Sequence, residues 1–395
     1  MTKAPANVSG VKRLVLWGTC DTGKPRTRIL IRGLRENGIE VIECRTDVWS
    51  GIEDKSRIRG VGGWLALGLK ALLAYPRLLL RYLRLPGHDW VLIGYPGFVD
   101  VFVIWPFARL RGARIALDWF LSAYDTIVLD RALFGAAHPV GRLIRLIEGT
   151  GVRLTDQPFM DTATHARRME GLFGLRRGRV GRAMVGVEDE VFVTTRHSAL
   201  SPPADPLPYN RHLRVLFYGQ FIPLHGIATI IRAAGLLRNA AVEWTLIGKG
   251  QEAERIRAMI DAEPLPALQW RAWVDYTDLR DEIESADICL GIFGTSDKAA
   301  SVIPNKVFQV LAAGKPLITR DSPAIRELLV HAPPCVRLVP PGDPAALAAA
   351  VLEAARNSGA VETCCHRSVL PAIRPHAVAA QLIESLAATG SEGRT

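Results

Sequence analysis

The stretch that decides the fold reads Val215-Leu216-Phe217-Tyr218-Gly219-Gln220-Phe221-Ile222-Pro223-Leu224-His225-Gly226. A short apolar run, Val215–Tyr218, is stopped by glycine. That length suits a buried strand and is too short for a helix. The chain then turns through Gly226 into a helical pattern over Ala228–Leu237. The same unit recurs downstream, with strands predicted at Glu243–Ile247, Leu268–Trp270, Ile288–Ile292 and Pro316–Thr319. Helical patterns lie between them at Gln251–Ala262, Thr277–Ser285 and Lys306–Ala313. Strands alternating with helices in this way build a parallel sheet.

Upstream, Leu14–Trp17 reads as a strand, followed by a Gly-rich loop and a helix over Arg26–Asn37. Gly38 sits at the C′ position, and a second strand follows at Ile39–Cys44. Further strands are expected at Trp90–Ile93 and Arg114–Leu117. Between Ser201 and Asn210 stand Pro202, Pro203, Pro206 and Pro208, a density that supports neither helix nor central strand. The predicted organisation is an N-terminal Rossmann-like domain over residues 1–200, a linker over 201–212 and a second Rossmann-like domain over 213–375. A C-terminal helix and tail over 376–395 completes it, with Ala379–Ala387 amphipathic. In such open α/β sheets ligands bind at the carboxyl ends of the strands. The expected site therefore lies in a cleft between two facing domains.

The chain has 395 residues, 49 % hydrophobic and 22 % charged, which excludes a disordered polymer. Lys plus Arg exceed Asp plus Glu by 49 to 39, a net charge of +10 that favours anionic partners. The six cysteines form no CxxC pair and read as reduced thiols. Cys364-Cys365-His366 is a candidate metal cluster without obvious further ligands, so no metal is expected. No apolar signal segment opens the chain and no uncharged run reaches the ~18 residues that span a bilayer. The expected location is cytoplasmic, at most peripheral on the inner face of the plasma membrane.

Several loops carry chemistry. Gly18-Thr19-Cys20-Asp21-Thr22-Gly23-Lys24-Pro25 has P-loop spacing, but Pro25 stands where a hydroxyl must hold Mg²⁺. This leaves either a structural turn or a loop that brings ligand close to backbone, with Gly18, Asp21 and Gly23 as the candidate residues. In the second domain, Gly219, Gln220, Gly248 and Lys249 occupy turns from strand into helix, where free N–H groups and the helix dipole favour phosphate. Lys298 follows a third such loop. Val302-Ile303-Pro304-Asn305-Lys306 opens another helix, with Pro304 suited to its first turn, so Lys298 and Lys306 are expected to face one pyrophosphate.

Together these segments resemble family 4 glycosyltransferases of the GT-B fold. The resemblance runs in order through "VLFYGQFIPLHG", "WTLIGKG", "ADICLGIFG", "IPNKVFQVLAAGKPLIT", "AIRELL" and "VRLVPPGDPAALAAAV", over Val215 to about Val351. Met184–Phe192 is similar to the segment that closes the first domain of these enzymes. The resemblance implies transfer of a sugar from a nucleotide-sugar co-substrate with retention, without metal or other cofactor, with the donor on the second domain and the acceptor on the first, where Gly18, Asp21 and Gly23 are the acceptor-side candidates. It also implies a donor site made by Gly219, Gln220, Gly248, Lys249, Lys298, Asn305 and Gln309, with His225 and Lys306 at the departing phosphate. The family's usual glutamate pair falls on Ser301 and Gln309 here, so the donor site is a variant.

In the first domain, Asp118 stands near where the family often has a histidine facing the reacting sugar. It is expected either to meet a sugar hydroxyl or to cap the next helix. Asp125 follows close behind, as acceptor-side residue or ion-pair partner. From Lys55 to Arg84 the chain carries seven basic residues and no acid, interleaved with Trp64 and many leucines. That pattern fits either helices on an anionic membrane surface or a core helix with snorkelling arginines. Pro76 is expected to break it in two. A second basic tract, Arg167–Arg182, lacks interleaved aromatic platforms, so no nucleic-acid partner is expected. The acceptor is therefore read as a glycan, lipid-linked or small molecule. The alternatives are an epimerase or hydrolase acting on the nucleotide sugar, and a non-catalytic binding subunit.

Overall fold

A computed structural model describes residues 11–48, 60–193, 212–356 and 368–392. The side chains of residues 60–62, 64–67, 71, 355–356 and 390–392 lie outside that description, as do most of the expected linker and the Cys364-Cys365-His366 cluster. The chain divides into two compact units, Met1–Met184 with Pro375–Thr395, and Val185–Arg374.

In the first unit the elements run β1 (Arg13–Gly18), α1 (Pro25–Glu36), β2 (Glu40–Arg45), α2 (Gly60–Leu83), β3 (Trp90–Ile93), α3 (Phe98–Leu110) and β4 (Arg114–Asp118). A π-helical turn, Asp125–Asp130, leads to α4 (Pro139–Leu154), β5 (Gln157–Met160), α5 (Ala163–Phe173) and β6 (Gly181–Arg182). All strands are parallel, in the order β2-β1-β3-β4-β5-β6. Strands β3 and β5 are buried along their whole length, as expected of a sheet covered on both faces. The core joins Val15, Trp17, Ile93, Leu117, Trp119 and Met160.

The second unit runs α6 (Asp189–Phe192), β7 (Leu213–Tyr218), α7 (Ile227–Leu236), β8 (Val242–Ile247), α8 (Ala253–Ala262), β9 (Leu268–Arg271) and α9 (Leu279–Ser285). It continues with β10 (Ile288–Leu290), α10 (Asp297–Ser301), α11 (Asn305–Ala312), β11 (Leu317–Arg320), α12 (Pro323–Leu328), β12 (Val336–Val339), α13 (Pro344–Arg356) and α14 (Leu370–Ile373). Its sheet is again parallel, in the order β12-β11-β10-β7-β8-β9. Phe217, Phe221, Ile230, Leu246, Leu290 and Val351 lie in its core.

The last helix, α15 (Pro375–Glu392), returns to the first unit and packs on α1. Gly33 makes this close approach possible, since a Cβ there would collide with the Pro375 backbone. Asn37 Nδ2 donates to His376 O at 2.9 Å, and Met184 N donates to Gln381 Oε1 at 3.1 Å. The C-terminal segment is thus part of the first unit's fold and not a separate tail. The observed division falls at residue 184, before the Pro-rich stretch.

Two features depart from the sequence reading. Pro76 does not break α2, which runs through it. Proline removes the bond to the carbonyl of Leu72, and that carbonyl lies on the helix side where Leu72 and Pro76 are exposed and water can take it. Strand β5 was hidden by Pro158. Its partner β6 pairs only with Phe159 and Met160, so the missing N–H of Pro158 breaks no ladder on that side. Of the described cysteines, Cys20, Cys44 and Cys289 are free and buried, whereas Cys335 is disulfide-bonded, contrary to the expectation of reduced thiols throughout.

Candidate functional site

Each sheet reverses its winding at one point, and a ligand crevice opens there beyond the carboxyl ends of the strands. In the second unit that point lies between β7 and β10. The turns leaving these strands pack backbone against backbone. A Cβ at Gly248 would collide with Gly219 O, and one at Gly226 or Gly294 would collide with the facing loop. Gly219 itself has φ +137°, a conformation that other residues rarely adopt. The glycines therefore serve loop packing first, and they bring the amides of three turns to one edge.

Beneath the Gly219 turn lies Lys306, from the first turn of α11. Its side chain is buried, and Nζ sits 3.7 Å from the centroid of the Phe217 ring. A Cβ on Gly219 would lie 2.9 Å from Nζ. Nζ has no hydrogen-bond partner. Burial pushes the Lys306 amine well below the ordinary lysine pKa. The aromatic face offsets part of the cost of a buried cation but accepts no hydrogen bond of ordinary strength. This amine is therefore ready for an anion entering at the Gly219 turn.

Other predicted donor-side residues gather round it. His225 is buried, and its Nδ1 bonds to Gln220 O, which closes the turn that Gln220 begins. Gln309, one turn beyond Lys306 on α11, is buried and accepts at Oε1 from Tyr218 Oη at 3.0 Å. Asn305 opens α11 and is half-buried. Lys298 is buried on α10, whose N-cap is Ser296. Ser301 turns its hydroxyl back to Asp297 O at 2.7 Å. Lys249 is different: it is exposed, with Nζ 4.8 Å from the centroid of the exposed Trp273 ring. Sequence reasoning missed Tyr218, which spans Gln309 and Lys306 O, and Arg320, whose Nη1 donates to Gly294 O and fixes the loop after β10.

In the first unit the winding reverses between β1 and β3. The loop after β1 is clamped by a buried carboxylate missed in the sequence, Asp100 at the start of α3. It accepts from Thr19 N at 2.6 Å, Thr19 Oγ1 at 3.0 Å and Tyr75 Oη of α2 at 2.8 Å. A Cβ at Gly18 would strike it. Burial raises the Asp100 pKa, against the pull of these donors. Asp21 accepts from Gly23 N at 2.8 Å and turns the chain into α1. These residues build the loop whose glycines were singled out.

Asp118 closes β4 and is buried, with both carboxylate oxygens 2.9 Å from Arg26 Nε and a further contact at 2.8 Å to Nη2. Arg26 also donates to Ala183 O at 2.8 Å and stacks over Phe120 and Phe159. Asp118 is thus engaged from inside the protein by Arg26. Asp125 is buried and lies 2.6 Å from Arg168 Nη1. Two further residues join this edge without having been read in the sequence. His165 Nδ1 and Asp161 Oδ1 are 2.6 Å apart, both buried, at the junction of β5 and α5. Their i,i+4 spacing was the available signal. Among the described residues no group of three or more His, Cys, Asp or Glu is placed to hold a metal ion.

Two parallel six-stranded units, the second with glycine turns and a buried lysine at its switch point, define the GT-B fold of glycosyltransferases. Residues 212–357 match the family model described as "Glycosyl transferases group 1", so the second unit carries a glycosyltransferase domain. The whole fold is similar to that of Anabaena Alr3699/HepE, solved in complex with UDP-glucose. Identity is 13 %, covering 96 % of this chain and 100 % of that one, with a TM-score of 0.61. The lipopolysaccharide outer core galactosyltransferase WaaB, in its apo form, has 10 % identity over 95 % of this chain and 98 % of its own, with a TM-score of 0.57. A glycosyltransferase from Rickettsia africae ESF-5 has 12 % identity over 95 % and 97 %, with a TM-score of 0.56. No curated protein matches the chain in sequence.

Proposed function

We propose that the protein transfers a sugar with retention, in the manner of family 4 enzymes, from a UDP-linked donor to a lipid-linked glycan precursor. The observation that carries this reading is the buried, unpartnered Lys306 amine beneath the Gly219 turn. A buried amine without a partner is costly, and an anion at that turn relieves the cost. Diphosphate suits the place because the N-terminus of α11 adds its own partial positive charge. The neighbours solved with UDP and UDP-glucose support uridine as the base.

As the bond from sugar to phosphate breaks, charge grows on the departing diphosphate. Lys306 and the α11 amides stabilise that charge from fixed positions. Lys298, Asn305 and the Gln220–Gly226 turn with His225 complete the phosphate side, and Gln309 with Tyr218 lies one helical turn away. The leaving phosphate oxygen takes the acceptor proton on the same face, so no protein nucleophile is needed. Asp118 acts as a positioning residue that holds Arg26 and the end of β4.

For the acceptor, α2 supports a bilayer source. Leu69, Leu72, Leu73 and Leu80 are exposed on it beside Arg77 and Arg81. Among the described residues no helix is long and apolar enough to cross a membrane. A helix lying on an anionic leaflet brings the chain to lipid-linked acceptors. The test is incubation with radiolabelled UDP-glucose, UDP-galactose and UDP-N-acetylglucosamine, with and without membrane lipid extract. Label moving into lipid only when extract is present supports the reading. Conversion without acceptor makes the protein an epimerase or hydrolase. Tight binding without turnover makes it a binding subunit, the reading favoured by Ser301 and Gln309 in place of two glutamates.

A further inference from the structure

Helix α4 carries apolar residues on both faces, with Ile144 and Leu154 packed against the core. Its inward face holds Gly141, Glu148, Gly149 and Val152, all buried. Its outward face holds Val140, Leu143, Leu146 and Ile147, with Leu143 53 % and Leu146 66 % exposed. A surface helix ordinarily turns its apolar stripe to the core and its charges to water. Here the inward polar residue has a task. Glu148 accepts from the Trp119 indole at 2.6 Å, from Ala123 N at 3.0 Å and from Tyr124 N at 2.8 Å, and so holds the turn after β4. The inward glycines let α4 lie close, Gly151 against Phe98 and Phe102 of α3 and Gly141 against Val128. Nothing in this packing requires leucines on the outside.

Charge on this layer is one-sided. Between residues 60 and 155 the acids are Asp89, Asp100, Asp118, Asp125, Asp130 and Glu148. Asp100, Asp118, Asp125 and Glu148 are buried, Asp130 is half-buried, and Asp89 accepts from Lys12 N and Arg13 N at the start of β1. Exposed charges among the leucines are basic, with Arg142 and Arg145 on α4, Arg77 and Arg81 on α2, and Arg84 just beyond it. Helix α3 packs against both α2 and α4, and it too exposes Val99 and Leu110.

We propose that α4 is a second bilayer-docking element of the first unit, which inserts Leu143, Leu146 and Ile147 among anionic lipids while Arg142 meets their headgroups, Arg145 being held back by Leu172 O and the Tyr124 ring. Exposed leucine with a cationic rim and the acids withdrawn is the complement of an anionic leaflet. Two elements in one layer fix the unit's orientation on the surface, where a single helix leaves it free to roll. The inference extends the bilayer reading of α2, and its test lets each fail alone.

The experiment is co-sedimentation of the full chain with vesicles of phosphatidylglycerol and phosphatidylethanolamine, and with pure phosphatidylcholine vesicles. Three proteins are compared: the native chain, Leu143→Glu with Leu146→Glu, and Arg77→Glu with Arg81→Glu and Arg84→Glu. Each inserted leucine contributes about tenfold to partitioning, and each Lys or Arg at the surface roughly fivefold. The α4 variant should therefore lose at least tenfold on anionic vesicles while keeping its melting temperature and its UDP affinity. Leu146→Ser, milder and charge-neutral, should lose a smaller amount in the same sense, which covers a failure of the double variant to fold. Unchanged partitioning of the α4 variants overturns the proposal, and loss confined to the α2 variant leaves α2 as the sole docking helix. Equal binding to phosphatidylcholine overturns the charge argument. A native dimer that becomes monomeric in light scattering on Leu143→Glu with Leu146→Glu, with vesicle binding intact, shows that a second copy covers this face instead.

Discussion

The carboxyl edges of the two sheets handle buried charge in opposite ways. At the first unit's edge three buried carboxylates have an internal basic partner: Asp118 has Arg26, Asp125 has Arg168, and Asp161 has His165, whose Nε2 is left without a hydrogen-bond partner. In the second unit Lys306 is as deeply buried but its amine has none. Paired burial fixes geometry at the expense of desolvation, and it leaves nothing for a ligand to neutralise. Unpaired burial is a standing cost that an anion from outside removes. The same fold thus yields one edge that is a rigid frame and one that is poised to bind. Variants that break a pair should damage the first edge, and variants that remove the unpartnered Lys306 amine should relax the second.

The largest effect expected is at Arg26. Its removal leaves the buried Asp118 carboxyl without its partner, and breaking such a pair costs about 3–5 kcal/mol. Arg26→Ala should make the first unit melt well before the second, read as hydrogen exchange in α1 and β4 ahead of the rest. Arg26→Met combined with Asp118→Leu removes both charges and should recover most of that loss. If Arg26→Ala leaves exchange unchanged, the first edge is not held by its ion pairs and the contrast fails.

A somewhat smaller effect should follow pH through Glu148. Burial pushes its carboxyl from 4.5 up to about 7, against the pull of the Trp119 indole and the Tyr124 amide. The folded chain thus holds a proton that the unfolded chain releases. Stability from this group is full below about pH 4.5 and is lost as pH rises to about 7, a total near 3 kcal/mol. Buried Asp100 and Asp118 titrate in the same sense, so the slope must be isolated by difference. Glu148→Gln should flatten the fall of melting temperature between pH 5 and 7, and parallel curves for the two proteins would remove Glu148 from the account.

The same contrast explains what the sequence made legible. Runs such as Trp90–Ile93 and Val215–Tyr218 are buried on both faces, so apolarity alone marks them, and they fall within one or two residues of the observed strands. The donor edge was legible because each element is local: a glycine turn, then a lysine in the next helix's first turn. The first edge was not, because its partners are far apart in the chain. Arg26 and Asp118 are 92 positions apart, and Thr19 and Asp100 are 81. No spacing rule links an arginine on α1 to the end of β4. Strand β5 was hidden by a proline that is harmless only because β6 is so short.

The second edge is sharpened by Lys306→Met, which keeps the bulk and removes the amine. A charge-assisted hydrogen bond to phosphate contributes about 1.5–3 kcal/mol, so UDP affinity should fall roughly ten- to hundredfold. Without UDP the same variant should melt higher than the native chain, since an orphaned buried amine is gone. Because burial lowers the lysine's pKa, UDP binding to the native chain should draw a proton onto it. Calorimetry in two buffers of different ionisation enthalpy reads that proton directly. Native-like affinity for Lys306→Met, or proton uptake that persists in it, would sink the assignment.

The smallest effect expected is that of chelation, and it bears on how the second edge holds a diphosphate at all. Two means of stabilising a departing diphosphate are open: a divalent ion clamped by carboxylates, or cations and helix N-termini fixed in the protein. The sequence carries no Asp-x-Asp at a strand end to clamp such an ion. At the switch point the groups are instead Lys306, the α11 N-terminus and the turn closed by His225. Their positive character needs no metal to arrive with the substrate. Turnover of the nucleotide sugar should therefore be the same with EDTA as without, within the error of the assay. Loss of turnover in EDTA, restored by Mg²⁺ or Mn²⁺, would mean that Lys306 serves only to position a metal-bound diphosphate. The unpaired amine would then be a minor contributor, and the difference between the two edges would lie in their loops and not in their charges.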